Sequence, residues 1–288
     1  MSLRIRDSLR NGFDRATNRN AGHLFVVFFF VTLMSTIVTN SAVTMVSNRL
    51  RELFREMSAE PLPSEAMVAP SPPIAIPMSL ELTLVLVGIL WIAGETARVI
   101  SDRTFISEET EQLYEPTRWI GWATLSSFAY VVIFNFLLLL YVFSISFLGV
   151  LAPVLGLFWT LVGGIVMIVV SLLLFFTRQE IATRDVGPIE AMTGSWSLVR
   201  TNEIELFGLG VILTLIDIAH QIVSFSIGSV SQRLMIVVSP LLSAAVLVFF
   251  SAVVAQAYRQ LRSEARRDKS ETTEWPLDPN DEWNDPPL

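Results

Sequence analysis

The chain has 288 residues, 52% of them hydrophobic and 16% charged, with a formal net charge of −7; soluble domains of this size carry about 25% charged residues. It has no cysteine, which excludes disulfides, thiolate nucleophiles and cysteine metal sites, and only two histidines, His23 and His220. Nineteen of the twenty basic residues are arginine, and scarce lysine with an acidic balance suits a protein bathed in high salt.

Six apolar windows of bilayer length follow in chain order: roughly 24–46, 80–100, 121–148, 154–176, 206–228 and 234–257. A hydrocarbon crossing needs about 20 apolar residues, and its backbone must satisfy its own hydrogen bonds, as a helix or a closed barrel. Barrel strands would alternate, whereas Val131–Val142 and Leu161–Phe176 are apolar on every side. The expected fold is therefore all-α: a polytopic transmembrane bundle of about six spans.

Residues 1–23 form a basic segment (Arg4, Arg6, Arg10, Arg15, Arg19) in which Leu9, Phe13 and Ala16 fit an interfacial helix. The first span reads as an uncleaved anchor, its apolar part being too long for a signal h-region. Its polar stripe, Thr32, Thr36, Asn40 and Thr44, could line an aqueous path, but such residues more often bond back to their own helix or pack against a neighbour. The loop 48–79 begins charged and ends proline-rich, as an extended cap. Glu81, Glu95 and Arg98 fall near span ends and read as interfacial.

Residues 119–177 are 59 consecutive positions without a charge, which must hold two spans. Gly149, Pro153 and Gly156 mark the turn between them, and Gly163 with Gly164 marks a close approach. Counting arginine and lysine flanking the spans gives sixteen on the side of the two termini and four on the other. That bias predicts cytoplasmic termini, in a cell membrane.

Asp185, Gly187 and Pro188 form a helix start, and Ile189, Met192, Trp196 and Val199 recur at helical spacing. An amphipathic helix over 188–201, lying in the membrane interface, is predicted. The run from Arg184 to Asn202 fits G-x-I-E-A-x-x-x-S-W-x-L-x-x-x-N. It resembles a helix before the fifth span in two polytopic families: the membrane domain fused to some glycerophosphodiester phosphodiesterases, and uncharacterised six-span proteins of salt-loving archaea. The stretch from Phe105 to Thr110 also fits the latter, and the resemblance covers about 95–215. It implies a six-helix membrane fold and little about activity, since the phosphodiesterase chemistry belongs to a separate soluble barrel.

In the fifth span, Asp217, His220 and Gln221 share one helical face near mid-bilayer, where a charge costs about 2.5–3.5 kcal/mol. Asn135 and Asn40 are candidate partners from other spans. This face could carry a proton or cation step, or form a polar contact inside the bundle. Residues 261–288 are acidic and proline-bearing and read as a disordered tail, after a membrane domain spanning 24–260.

The sequence has no H-E-x-x-H, no G-x-S-x-G and no phosphate-cradling loop, so no enzyme, metal or cofactor is expected. The basic residues flank spans, so nucleic acid is not an expected partner; the lipid bilayer is. The favoured expectation is a non-catalytic membrane-organising or accessory protein, the alternative a small-solute or proton-coupled transporter using the span 5 face.

Overall fold

In the computed structural model, which describes residues 3–57, 75–107 and 111–272, nine helices follow one another. They are α1 (Ile5–Ala16), α2 (Arg19–Met57), α3 (Leu80–Ile106), α4 (Ile120–Leu151), α5 (Pro153–Leu173), α6 (Thr177–Arg184), α7 (Pro188–Val199), α8 (Glu203–Val230) and α9 (Gln232–Thr272). Six stretches are long and apolar enough to cross a membrane: α2, α3, α4, α5 continued through α6, α8 and α9. Every apolar window read from the sequence lies inside one of them. The chain is an all-α, multi-pass transmembrane bundle.

Several boundaries differ from those read in the sequence. The fourth span does not run straight into its loop: it breaks at Leu174–Phe176, and a short helix, α6, turns into the protein. The C-terminal segment from residue 261 was expected to be disordered, yet α9 continues to Thr272, and only the remainder lies outside the described residues. The loop expected over 48–79 begins later, since α2 continues to Met57, and most of its proline-rich part also lies outside the described residues.

α9 is the axis of the bundle. It packs against α1, α2, α3 and α8, and its Ala244, Ala252 and Ala255 are fully buried against Ala21, Leu24, Phe28 and Ala97. Small side chains let helix backbones approach closely, which is how helices gain contact where lipid removes the hydrophobic drive. Pro240 interrupts the amide ladder of α9, and its carbonyl accepts from Thr32 Oγ1 at 3.3 Å. Thr32, Thr36 and Thr44 also donate back to carbonyls of α2, so the threonine stripe serves its own helix.

α4 and α5 form a hairpin. A Cβ on Gly156 would lie 2.8 Å from the Gly149 Cα, and one on Gly163 would collide with the Tyr141 ring. Tyr141 in turn donates to the Thr160 carbonyl at 2.9 Å. Away from that seam the hairpin bares Phe136, Leu139, Phe143 and Phe147, the surface a lipid environment covers.

The amphipathic N-terminal helix, α1, is seated on the protein rather than resting apart from it. Its Gly12 faces Val253 of α9, where a Cβ would lie 2.7 Å from the Val253 Cα, and Arg15 Nη1 donates to the Ser107 carbonyl at 2.9 Å. Leu3, just before α1, is buried with Leu206, Leu209 and Tyr258, while Phe13 points outward.

Gly12→Leu is expected to lift α1 from α9 at a cost of about 1–3 kcal/mol, as overpacking does. In detergent it should lower the thermal midpoint and open the Arg10–Ala16 peptide bonds to protease, with the six spans intact.

Candidate functional site

At the end of the bundle where α3 finishes and α8 begins, acidic and basic side chains are buried together. The site is organised by α6. Proximity to Ser195 fixes its start: Ser195 Oγ of α7 donates to the Leu173 carbonyl at 2.8 Å and accepts from the Phe176 amide at 3.0 Å. These are backbone groups freed where the fourth span breaks, and one hydroxyl satisfies both. Phe176 is buried against Tyr258, which holds the break in place.

From α6, successive side chains reach three neighbours. Arg178 Nη2 lies 3.1 Å from Glu95 Oε1 of α3. Arg98 Nη1 reaches the same oxygen at 3.1 Å, and Ser127 Oγ of α4 donates to Glu95 Oε2 at 2.7 Å. Glu95 is 2% exposed, so the interfacial placement read from the sequence is corrected: it points into the bundle. Gln179 Nε2 donates to Asp102 Oδ1 at 3.2 Å. Glu180 Oε1 accepts from Tyr258 and from Arg262 of α9, each at 2.9 Å, and Arg184 approaches Oε2 at 3.3 Å. The Arg262 guanidinium also sits over the Tyr258 ring, 5.5 Å from its centroid.

A second knot closes the same end. Arg103, itself buried, donates through Nε to the Ala182 carbonyl at 2.8 Å, through Nη1 to the Arg118 carbonyl, and through Nη2 to Asp185 Oδ1 at 2.5 Å. Asp185 ends α6 in the left-handed region (φ 54°), where Asp and Asn are enriched, and its other oxygen takes Arg118 at 3.0 Å. The hydrogen bond to Glu115 holds the Arg118 guanidinium above its usual range, with Asp185 adding to the effect.

α7 divides the stripe expected of it. Ala191, Ser195 and Val199 are buried, and Gly194 lies against Glu180, with space for a Cβ only 3.0 Å from its Oε2. Ile189 is 72% and Trp196 50% exposed, and Met192 is half-buried. Val199 therefore does not belong to the outward face. The helix docks by its small residues because these let it approach α6; its large apolar residues are left on the surface, as an interfacial helix requires.

The polar face expected on span 5 is only partly assembled. Gln221 Nε2 donates to Asp217 Oδ2 at 2.7 Å, and His220 Nδ1 is 3.9 Å from Asp217 Oδ1, beyond hydrogen-bond reach. His220 Nε2 instead meets Ser243 of α9 and Ser224. Asp217 is 46% exposed on the side of α8. Asn135 donates to the Val131 carbonyl of its own helix, and Asn40 supplies a carbonyl to Thr44. Among the described residues neither asparagine is hydrogen-bonded to Asp217, so the five residues do not form one site. No three His, Asp or Glu side chains among the described residues converge as a metal site would require.

What the sequence reading missed is the buried set Asp102, Arg103, Gln179, Glu180 and Tyr258, with the half-buried Arg178 and Arg262. A signal was present: Glu95, Arg98 and Asp102 follow i, i+3, i+7 spacing, one face of α3, and Arg178–Glu180 directly follows an uncharged run.

Apolar helices of bilayer length, closed at one end by paired buried charges, define a multi-pass α-helical membrane protein. Within that class the chain belongs to the family described as a domain of unknown function, DUF7847, which it matches over residues 3–261. No match was found among curated proteins or among solved structures.

Removing Arg103 takes one of its two guanidiniums from Asp185 and a buried donor from the Ala182 and Arg118 carbonyls. Arg103→Ala is expected to cost about 3–5 kcal/mol, the range for breaking a buried pair. Arg103→Lys should not restore the loss, because a point charge cannot serve three directions as the planar guanidinium does. Thermal unfolding of both variants in detergent, beside wild type, is the measurement; full stability in the lysine variant would refute the clamp.

Proposed function

We propose that this is a non-catalytic cell-membrane protein, with both termini in the cytoplasm, that organises bilayer or partner proteins at the cytoplasmic interface. The observation that supports it is the outward face of α7. Ile189 and Trp196 stand exposed on a helix whose other face is held against a base of buried ion pairs. Trp119 and Trp122, at the start of α4, and Phe13 of α1 are exposed near the same end of the bundle. Aromatic side chains at this level match the headgroup region, where a ring is apolar and its N–H finds water. The arginine asymmetry supports the assignment of this end to the cytoplasm, and the acidic, lysine-poor composition suits a high-salt setting.

The carboxylates at this end, Glu95, Glu180 and Asp185, are engaged by Arg178, Arg262 and Arg103 from neighbouring helices, by Arg98 of α3 itself and by Arg118 just before α4. That use of charge rigidifies the platform on which α7 is displayed. The alternative, a small-solute or proton-coupled transporter, is supported by Asp217, His220 and Gln221 sharing one face of α8.

A photoreactive amino acid at position 193 should form adducts with lipid headgroups or discrete membrane proteins, and Ile189→Ser with Trp196→Ser should diminish them while sparing insertion. In proteoliposomes, Asp217→Asn should leave solute and proton permeability as in wild type. A flux carried by the wild type and abolished by Asp217→Asn would replace this reading with the transporter.

A further inference from the structure

Two cavities stand directly above the charged base. One, of about 340 Å³, lies between α2, α3 and α9; the other, of about 450 Å³, lies between α3, α4, α5, α6 and α9. They share two residues, Arg98 and Leu247. Each volume falls within the range of small-molecule sites, about 300–1,000 Å³. Their floors are polar, with Glu95 and Arg98 in the first and Arg98, Asp102, Arg178 and Gln179 in the second. Their walls are mostly apolar, including Val87, Leu90 and Trp91 in the first and Phe134, Phe250 and Val254 in the second.

The two guanidiniums of the floor keep N–H donors that their ion pairs do not use. Arg98 and Arg178 share a single carboxylate oxygen, Glu95 Oε1, each through one nitrogen. Their side chains remain 35% and 29% exposed. Asp102 is held by Gln179 and has no guanidinium within ion-pair distance among the described residues. Among the described residues Arg178 Nε and Gln179 Oε1 have no hydrogen-bond partner, although both residues line the second cavity. Guanidinium recognises phosphate and carboxylate through paired N–H groups, so two half-used guanidiniums, Arg98 lining both cavities and Arg178 the second, suit an acidic head.

The dimensions suit a chain attached to that head. From Arg98 to Val87 along α3 is eleven residues, about 16 Å at 1.5 Å per residue. One leaflet of a hydrocarbon core about 30 Å thick has nearly the same depth. The geometry points to a binding site for a singly charged acidic amphiphile, a phosphodiester lipid of the leaflet at the arginine-rich end. Its head contacts Arg98 and Arg178, and a chain rises along the first cavity. A singly charged head is favoured because Glu95 is ion-paired with both guanidiniums, whereas Asp102 is tied to Gln179 and paired with neither. This site goes beyond the interfacial role proposed above and stands without it, since it uses none of the outward α7 residues.

The test uses the full chain purified in neutral detergent, with retention of added lipid followed by native mass spectrometry and thermal unfolding followed in parallel. Phosphatidylglycerol should be retained and should raise the midpoint; phosphatidylcholine and inorganic phosphate should do neither. Arg98→Gln and Arg178→Gln should each weaken phosphatidylglycerol retention about tenfold, equivalent to about 1.4 kcal/mol. Arg200→Gln, an exposed arginine at the same end, should not. Because the two arginine variants could fail to fold, Glu95→Gln gives an independent sign: it removes the competing charge, keeps a partner for Ser127, and should tighten retention severalfold. Equal retention of phosphatidylcholine, equal loss in Arg200→Gln, or unchanged or weaker binding in Glu95→Gln would overturn the site. Stabilisation by inorganic phosphate alone would overturn the lipid and leave a free anion as the ligand.

Discussion

The structure depends on the neutralisation of carboxylates that water cannot reach. Glu95 and Glu180 are each about 2% exposed, and an ionised carboxylate brought into such a place costs several kcal/mol. Each is surrounded by donors from its own and neighbouring helices: Arg98 of α3, Ser127 of α4 and Arg178 of α6 for Glu95; Arg184 of α6 with Tyr258 and Arg262 of α9 for Glu180. Hydrogen bonds to a charged group contribute roughly 1.5–3 kcal/mol each, so three of them offset a cost of that size. The net gain in stability is small. What the arrangement supplies is specificity, because a helix shifted by one turn would keep only the arginine of its own helix and lose the donors from its neighbours.

This constraint explains why the fourth span breaks where it does. A straight α5 would carry Arg178, Gln179 and Glu180 past the bundle into solvent. The turn at Leu174–Phe176 redirects them between α3 and α9, and the break is affordable because Ser195 satisfies the freed carbonyl and amide. α7 must then pass close to α6, which requires Ala191, Gly194 and Ser195 on that face. The motif running from Gly187 to Asn202 thus combines two tasks: a small inner face that seats the helix, and a large apolar outer face left for the interface.

The spans were legible in the sequence because apolar length is a one-dimensional property. Residues 119–177 could only be two helices, and Gly149, Pro153 and Gly156 marked the turn between them. The buried base was not legible for a specific reason. Counting arginines by side of the membrane treats them as interchangeable, whereas Arg103 and Arg178 are pairing residues with fixed partners and Arg200 is exposed. The break before α6 was hidden because Leu174, Phe175 and Phe176 continue the apolar run without a glycine or proline. On α7, apolar periodicity identified the helix but assigned Val199 to the wrong side, since small residues rather than large ones mark the packed face. Asp217 attracted notice as a charge at mid-span; its partners proved to be Gln221 and the approach of His220, with Asn135 and Asn40 engaged elsewhere.

The two ends of the bundle are built by different physics. At the base, directional bonds between α3, α4, α6 and α9 fix helix positions against sliding. Farther along, contacts are dispersive and side chains such as Phe136, Phe143 and Leu139 face outward, so little opposes small separations of the helices. The two cavities over the base lie where these regimes meet, immediately past the last ion pair, and both are lined by Arg98 and Leu247. A charge at that junction sees low dielectric on one side and fixed guanidiniums on the other, which strengthens attraction relative to water. The base therefore does two things at once: it holds the helix ends together, and it leaves guanidinium donors turned toward the apolar volume above them.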